Sequence, residues 1–160
     1  MPFAGATEIA FDTSLLTENE RQVIAKLIEA SKLIDEIFWR QVSEENPALR
    51  ERLSKEASPA YDYFVKNRGP WDRLKGDEPF IGTKKKPAGA AFYPEDMTRE
   101  EFERYVAAHP EKKDALQGLF TVVRRQGDVL IAIPYSTAYR EFLEPAAAKL
   151  REAAALTNNA

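Results

Sequence analysis

The chain has 160 residues, 44% of them hydrophobic and 31% charged, with a net charge of −3, one His and no Cys. A chain of this length buries about 70% of its unfolded surface, so a packed core is expected and disorder throughout is excluded. The missing Cys excludes disulfides, thiolate catalysis and Cys-ligated metals, and the acidic balance argues against a nucleic-acid partner.

No apolar run approaches the roughly 20 residues that span a membrane. The start, "MPFAGATEIAFDTS", lacks the basic and apolar regions of a signal peptide. The expectation is a soluble protein with no membrane span, cytoplasmic or periplasmic. Residues 1–16 read as an irregular arm and 17–157 as one mostly helical domain, with 158–160 a truncated tail. The first helix starts at Thr17, where Glu20 completes a capping box that satisfies two free backbone N–H groups. Val23, Ile24, Leu27, Ile28, Ile34, Ile37 and Phe38 recur at helical spacing. Leu33 and Trp39 widen this stripe, so cover on more than one side is expected. A short helix follows, with Asn46 as cap and Pro47 in its first turn. Ser58 and Pro59 repeat the device, and that helix is expected to stop at Gly69–Pro70.

Residues 69–97 form a long connection rich in Pro and Gly, a length often tied to function. Thr98 and Glu101 make a second capping box, and Met97 and Phe102 have the spacing of a hydrophobic staple, so a helix is expected over 98–108. His109–Pro110 opens a short helix to about Leu116. "LFTVVRRQGDVLIAIPY" reads as a β-hairpin turning at Gln126–Gly127–Asp128. A lone hairpin is marginal in water, so it must rest on helices or join another sheet. A last helix is expected from Ser136 to Leu156, with Tyr139, Phe142, Leu143, Ala146 and Leu150 on one face and a kink at Pro145. The fold class is α+β: predominantly α-helical, with a β-hairpin in the C-terminal half and a long Gly/Pro-rich central loop.

Candidate chemistry is sparse. One His cannot build a His-based zinc site, and His109 before Pro110 suits a turn or cap. The acidic pairs Asp35/Glu36, Glu44/Glu45, Glu95/Asp96 and Glu100/Glu101 are adjacent residues, which do not share a helix face; they read as solvated surface. "TREEFE" suggests the Nudix motif, but that motif needs Glu where Ala91 stands, Gly where Lys85 stands and an apolar residue in place of Glu101. No Ser–His–Asp set is present in pattern. Lys84, Lys85 and Lys86 read as a solvated loop rather than a phosphate site, because the glycines around them are too few and in the wrong order. No catalytic or metal residue is assigned, and the chain itself is expected to carry no cofactor.

Four stretches, "LIEASKLIDEIFWRQ", "GPWDRLKGDEPF", "KPAGAAFYPEDMTREEFE" and "VVRRQGDVLIAIPYSTAYREFLEPAAAKLREAAALT", together resemble the N-terminal part of bacterial dipeptidyl peptidase III family zinc metallopeptidases. The resemblance covers most of residues 15–157 in order. It implies a two-lobed parent with a cleft between the lobes, and a zinc motif of a His–Glu pair, a second His after a long gap and a further Glu. Those residues are missing here. The chain is therefore expected to be an N-terminal fragment or separate portion, with zinc in the full-length parent. Its expected partners are the remainder of that peptidase and, in the parent, an oligopeptide substrate.

The resemblance also singles out the loop at 87–94. Gly89, Ala90 and Ala91 allow close backbone approach, with a positive φ expected at Gly89, while Phe92 and Tyr93 can anchor the loop or line a surface. Gly89, Phe92 and Tyr93 are the candidate substrate-binding residues; the alternative is that the loop packs over the core. Ala91 stands where Asn is expected in many relatives, which argues against a polar ligand contact there. Two functions follow. One is a non-catalytic part of a zinc-dependent dipeptidyl peptidase, helping to form the peptide cleft. The other is a stand-alone helical module that binds a protein partner through the long loop or the hairpin edge.

Overall fold

The computed structural model describes residue 10 and residues 12–157. Most of the expected N-terminal arm and all of the 158–160 tail lie outside the described residues; within the arm, Thr13–Leu15 forms a 3-10 turn capped by Asp12. In chain order come α1 (Glu18–Val42), α2 (Asn46–Lys55), α3 (Tyr61–Asn67), the short strands β1 (Trp71–Asp72) and β2 (Glu78–Pro79), then α4 (Arg99–Ala108). After a 3-10 turn at Pro110–Lys112 follow α5 (Lys113–Leu116), β3 (Thr121–Gln126), β4 (Val129–Pro134), α6 (Tyr135–Ala138) and α7 (Arg140–Leu156). The fold is α+β and mostly helical, with two small antiparallel hairpins.

The full capping box forms at Thr17 and Glu20. At Thr98 the hydroxyl accepts from Glu101 N at 3.1 Å, whereas the Glu101 carboxylate is taken up by Arg125 Nη1 at 2.8 Å. Met97 and Phe102 pack against one cluster, as a staple requires. Asn46 does not cap α2. It is fully buried, and its amide donates to the carbonyls of Trp39 (3.2 Å) and Arg68 (2.9 Å). The left-handed residue that ends α3 is Arg68 (φ 58°), one position before Gly69, whose N–H then bonds Phe64 O at 3.2 Å as a Schellman closure. Gly69 is needed for space: a Cβ there would lie 3.3 Å from the Trp71 ring.

Helices α1 and α7 run antiparallel. Asn19 meets Leu156, Lys26 meets Glu152, Lys149 meets Glu29, and the Arg40 guanidinium lies 4.3 Å over the Phe142 ring. Buried Ala30, Ala146 and Ala153 allow this close pairing. The C-terminal half of α1 is covered on two sides. Ile37 joins Val122 and Tyr139, and Trp39 joins Leu53 and Phe64, with the Trp39 and Phe64 rings stacked at 5.3 Å. The other members of the stripe differ from expectation: Leu27, Ile28, Ile34 and Phe38 are 40–48% exposed, and so is Leu150 on α7, at 50%. The helix break in the last segment falls at Tyr139 (φ −121°, ψ 25°), where the buried ring is held in the core, and α7 runs on through Pro145.

The β3–β4 hairpin turns at Gly127 (φ 58°) and Asp128, with Gln126 opposite Val129. It is sandwiched rather than exposed. Successive strand residues face opposite ways, so Val122 enters the cluster of Ile37 and Tyr139, while Val123 enters that of Val106, Leu116 and Leu130. Glu44, Glu45, Glu95, Asp96 and Glu100 are exposed, as expected of solvated surface, while Asp35, Glu36 and Glu101 are half-buried; several of these carboxylates also form ion pairs. Asp35 pairs with Arg68, Glu36 with Arg40 and Arg50, Glu44 with Arg124, and Glu45 and Glu95 with Lys84.

Candidate functional site

The central loop is pinned at both ends of a short span. Ala91 N donates to Gln41 O on α1 at 3.0 Å, and Phe92 O accepts from Val123 N on β3 at 2.7 Å. The Ala91 carbonyl accepts from Arg124 Nη1 at 3.1 Å. Ala91 is thus buried towards α1, and its neighbours Ala90, Phe92 and Tyr93 line a cleft of about 1020 Å³. That volume is at the upper end of the roughly 300–1,000 Å³ typical of ligand pockets.

The walls come from four separate stretches: Gly76–Pro79 of the β1–β2 turn, the 85–90 loop with Phe92 and Tyr93, Gln117–Thr121 before and into β3, and Tyr135. Lys86 Nζ pairs with Asp77 Oδ2 at 3.0 Å, tying the loop to the β1–β2 turn. Trp71 Nε1 donates to Lys84 O at 2.7 Å, and Lys84 Nζ bridges Glu45 (2.9 Å) and Glu95 (2.8 Å). Two of the three adjacent lysines therefore hold the loop in place, while Lys85 lines the cleft.

The floor is aromatic. Phe92 stacks on Tyr135 with ring centroids 6.5 Å apart, while Phe120, 74% exposed and outside the lining, meets Tyr135 edge-on at 6.1 Å. Burial raises the Tyr135 hydroxyl above its ordinary value, with the nearby Tyr93 a smaller cause, so it is a neutral donor at physiological pH. Tyr93 packs edge-on to Phe102 at 5.1 Å and, with Gly89, also lines a smaller apolar cavity of about 310 Å³ beside Met97. Gly89 has no positive φ; the left-handed residue is Ala90, at φ 46°. Gly89 is required for closeness, because a Cβ there would stand 3.0 Å from Tyr93 Cβ.

The structure therefore brings Gly89, Phe92 and Tyr93 to one cleft, each half-buried. Sequence reasoning missed Tyr135, the Gln117–Thr121 wall and the β1–β2 turn. The Gly76–Asp77 pair was a signal for that turn: both adopt positive φ, 67° and 62°. Polar groups on the cleft lining include the phenols of Tyr93 and Tyr135, the Gln117 amide, Lys85 and Lys86, and the carboxylates of Asp77 and Glu78.

His109 caps α4, stacks on Tyr105 at 4.2 Å and holds Nδ1 3.0 Å from Tyr105 O. Among the described residues no group of three or more His, Asp or Glu lies together as a metal site. Among them, too, no helix is long and apolar enough to cross a membrane.

No family model matches the chain. Two solved bacterial structures do. The DPP III of Caldithrix abyssi matches with a TM-score of 0.91 and 48% identity, over 96% of this chain and 30% of its own. The dipeptidyl-peptidase III of Corallococcus sp. strain EGB matches with a TM-score of 0.88 and 38% identity, over 95% of this chain and 30% of its own. The chain resembles an N-terminal part of dipeptidyl-peptidase III. It spans less than a third of the length of either dipeptidyl-peptidase III chain.

Among curated proteins, Nudix hydrolase 3 of Arabidopsis thaliana is 28% identical over 200 aligned positions, covering 90% of this chain and 26% of that protein. The site does not support Nudix chemistry here. Arg99 is paired with Glu103 at 2.7 Å on an exposed helix face, and Glu101 is taken by Arg125.

Proposed function

We propose that the chain is the N-terminal portion of a dipeptidyl-peptidase III-like peptidase, where it forms one wall of the peptide-binding cleft and supplies no reacting group. The observation that carries this reading is the gathering of Gly89, Phe92 and Tyr93, within a segment resembling the family, around a cleft of about 1020 Å³ with an aromatic floor. Zinc and the groups that activate water belong, on this reading, to the rest of a longer chain. The pinned Ala91–Phe92 backbone and the Lys84 and Lys86 bridges hold the wall in shape, so little ordering is left for ligand binding to oppose.

The test is a chimera in which this chain replaces the matching part of the Caldithrix abyssi enzyme. Phe92→Ala should raise KM for dipeptide release about tenfold, equivalent to about 1.4 kcal/mol, with kcat little changed, because the lost contact is made equally in ground and transition states. A KM unaltered by Phe92→Ala and by Tyr93→Ala would remove the cleft role and leave the loop as core cover.

A further inference from the structure

The stripe on α1 that stays open has a definite shape. Leu27, Ala30, Ser31, Ile34, Asp35 and Phe38, with Leu150 of α7, line a groove of about 410 Å³. From Leu27 to Phe38 it runs about 16 Å along α1, at 1.5 Å per residue, which is three helical turns. Its large side chains recur at i, i+7 and i+11, the spacing that a second helix packs against. Between them lie Ala30, 3% exposed, and Ser31, small enough to admit a neighbour's side chains. Leu27, Ile34 and Phe38 of α1 with Leu150 of α7, each 40–50% exposed, make one contiguous apolar strip rather than scattered exposure.

The charges along the rim are already matched. Lys26 and Lys149 pair with Glu152 and Glu29 at one end, and Asp35 pairs with Arg68 at 2.9 Å at the other. The groove is therefore lined by apolar side chains, by Ser31 and by one carboxylate, Asp35, that is already paired. In both dipeptidyl-peptidase III structures this fold is 30% of the chain, so more than twice as much polypeptide stands beside it there.

We infer that the Leu27–Ile34–Phe38–Leu150 groove seats an amphipathic helix from the remainder of a longer dipeptidyl-peptidase III-like chain. This rests on the reading of the chain as part of such a peptidase. The occupant needs at least three turns, about 11 residues, with apolar side chains on one face at i, i+3 or i+4 and i+7. The contact sets how this segment, and the cleft wall it carries, is held against the rest of the enzyme.

The same chimera with the Caldithrix abyssi enzyme tests it, through Ile34→Lys and Leu27→Lys measured in parallel in the isolated chain. In the isolated chain these half-exposed positions should shift the melting midpoint by no more than about 2 °C. In the chimera each should lower it by about 5 °C or more, through a charge forced into a packed interface. Equal small shifts in both settings would overturn the docking surface. So would sedimentation showing that the isolated chain dimerises and that Ile34→Lys abolishes the dimer, since a second copy would then be the occupant. A chimera that folds and shows the variant effect, yet releases no dipeptides, would count against the peptidase reading while leaving the docking surface standing. A chimera that does not fold would overturn both.

Discussion

Tyr93→Ala is the sharpest probe of the central loop. The ring lies edge-on to Phe102 at 5.1 Å and packs, half-buried, on the cluster of Val106, Leu116, Val123 and Leu130. Truncating a fully buried large aromatic costs about 3–5 kcal/mol. Half burial roughly halves that figure, and the edge-on pair adds about 0.5–1.5 kcal/mol. The expected loss is about 2–4 kcal/mol, or a fall in melting midpoint of roughly 4–16 °C for a chain of this size. Denaturant unfolding of the isolated chain, with an unchanged m-value, is the assay. Tyr93→Phe retains the ring and should stay within about 0.5 kcal/mol of the parent. A loss below about 0.5 kcal/mol for Tyr93→Ala would refute the packing described, because a ring seated on that cluster cannot be removed so cheaply.

Thr98→Ala removes the acceptor for Glu101 N and should cost about 1 kcal/mol, read as a lower denaturant midpoint. Gly89→Val places a branched side chain where Cβ already meets Tyr93 Cβ at 3.0 Å, so it should cost about 1–3 kcal/mol in the same assay, with a smaller loss when combined with Tyr93→Ala. Glu36 is pushed up by burial but pulled down further by hydrogen bonds from Arg50 and Arg40, for a net value below the ordinary 4.5. Its contribution is complete above that value and is lost as pH falls through the lower folded value, so Glu36→Gln should flatten the loss of stability below about pH 4.5 in an acid titration. Elemental analysis of the chain purified without chelator should find no stoichiometric zinc; one tightly held ion per chain would place a metal site within these 160 residues.

Features governed by neighbours a few residues away were legible without the fold. The Thr17–Glu20 box, the Thr98 cap, the Met97–Phe102 staple and the Gly127–Asp128 turn each depend on side chains within about one helical turn or one hairpin loop, where backbone geometry is set by local sterics and hydrogen bonds. The aromatic pair at Phe92–Tyr93 was legible as a candidate surface, because its residue types and glycine neighbour are written in the chain. What it faces was not. The cleft joins a turn at Gly76–Pro79, the loop at 85–93, the wall at Gln117–Thr121 and Tyr135, and no sequence spacing relates those walls. Left-handed backbone settled at Arg68 and Ala90 rather than at the adjacent glycines, because tertiary packing reserved Gly69 and Gly89 for space beside the Trp71 and Tyr93 side chains. The ion pairs Arg124–Glu44 and Lys84–Glu45, between partners 80 and 39 positions apart, came from the fold alone, while both carboxylates stay exposed as their sequence context indicates. The apolar spacing of α1 stated that the helix buries a face, yet which side chains found cover was decided by the elements that reached them: Ile37 and Trp39 did, while Leu27, Ile34 and Phe38 stay 40–45% exposed.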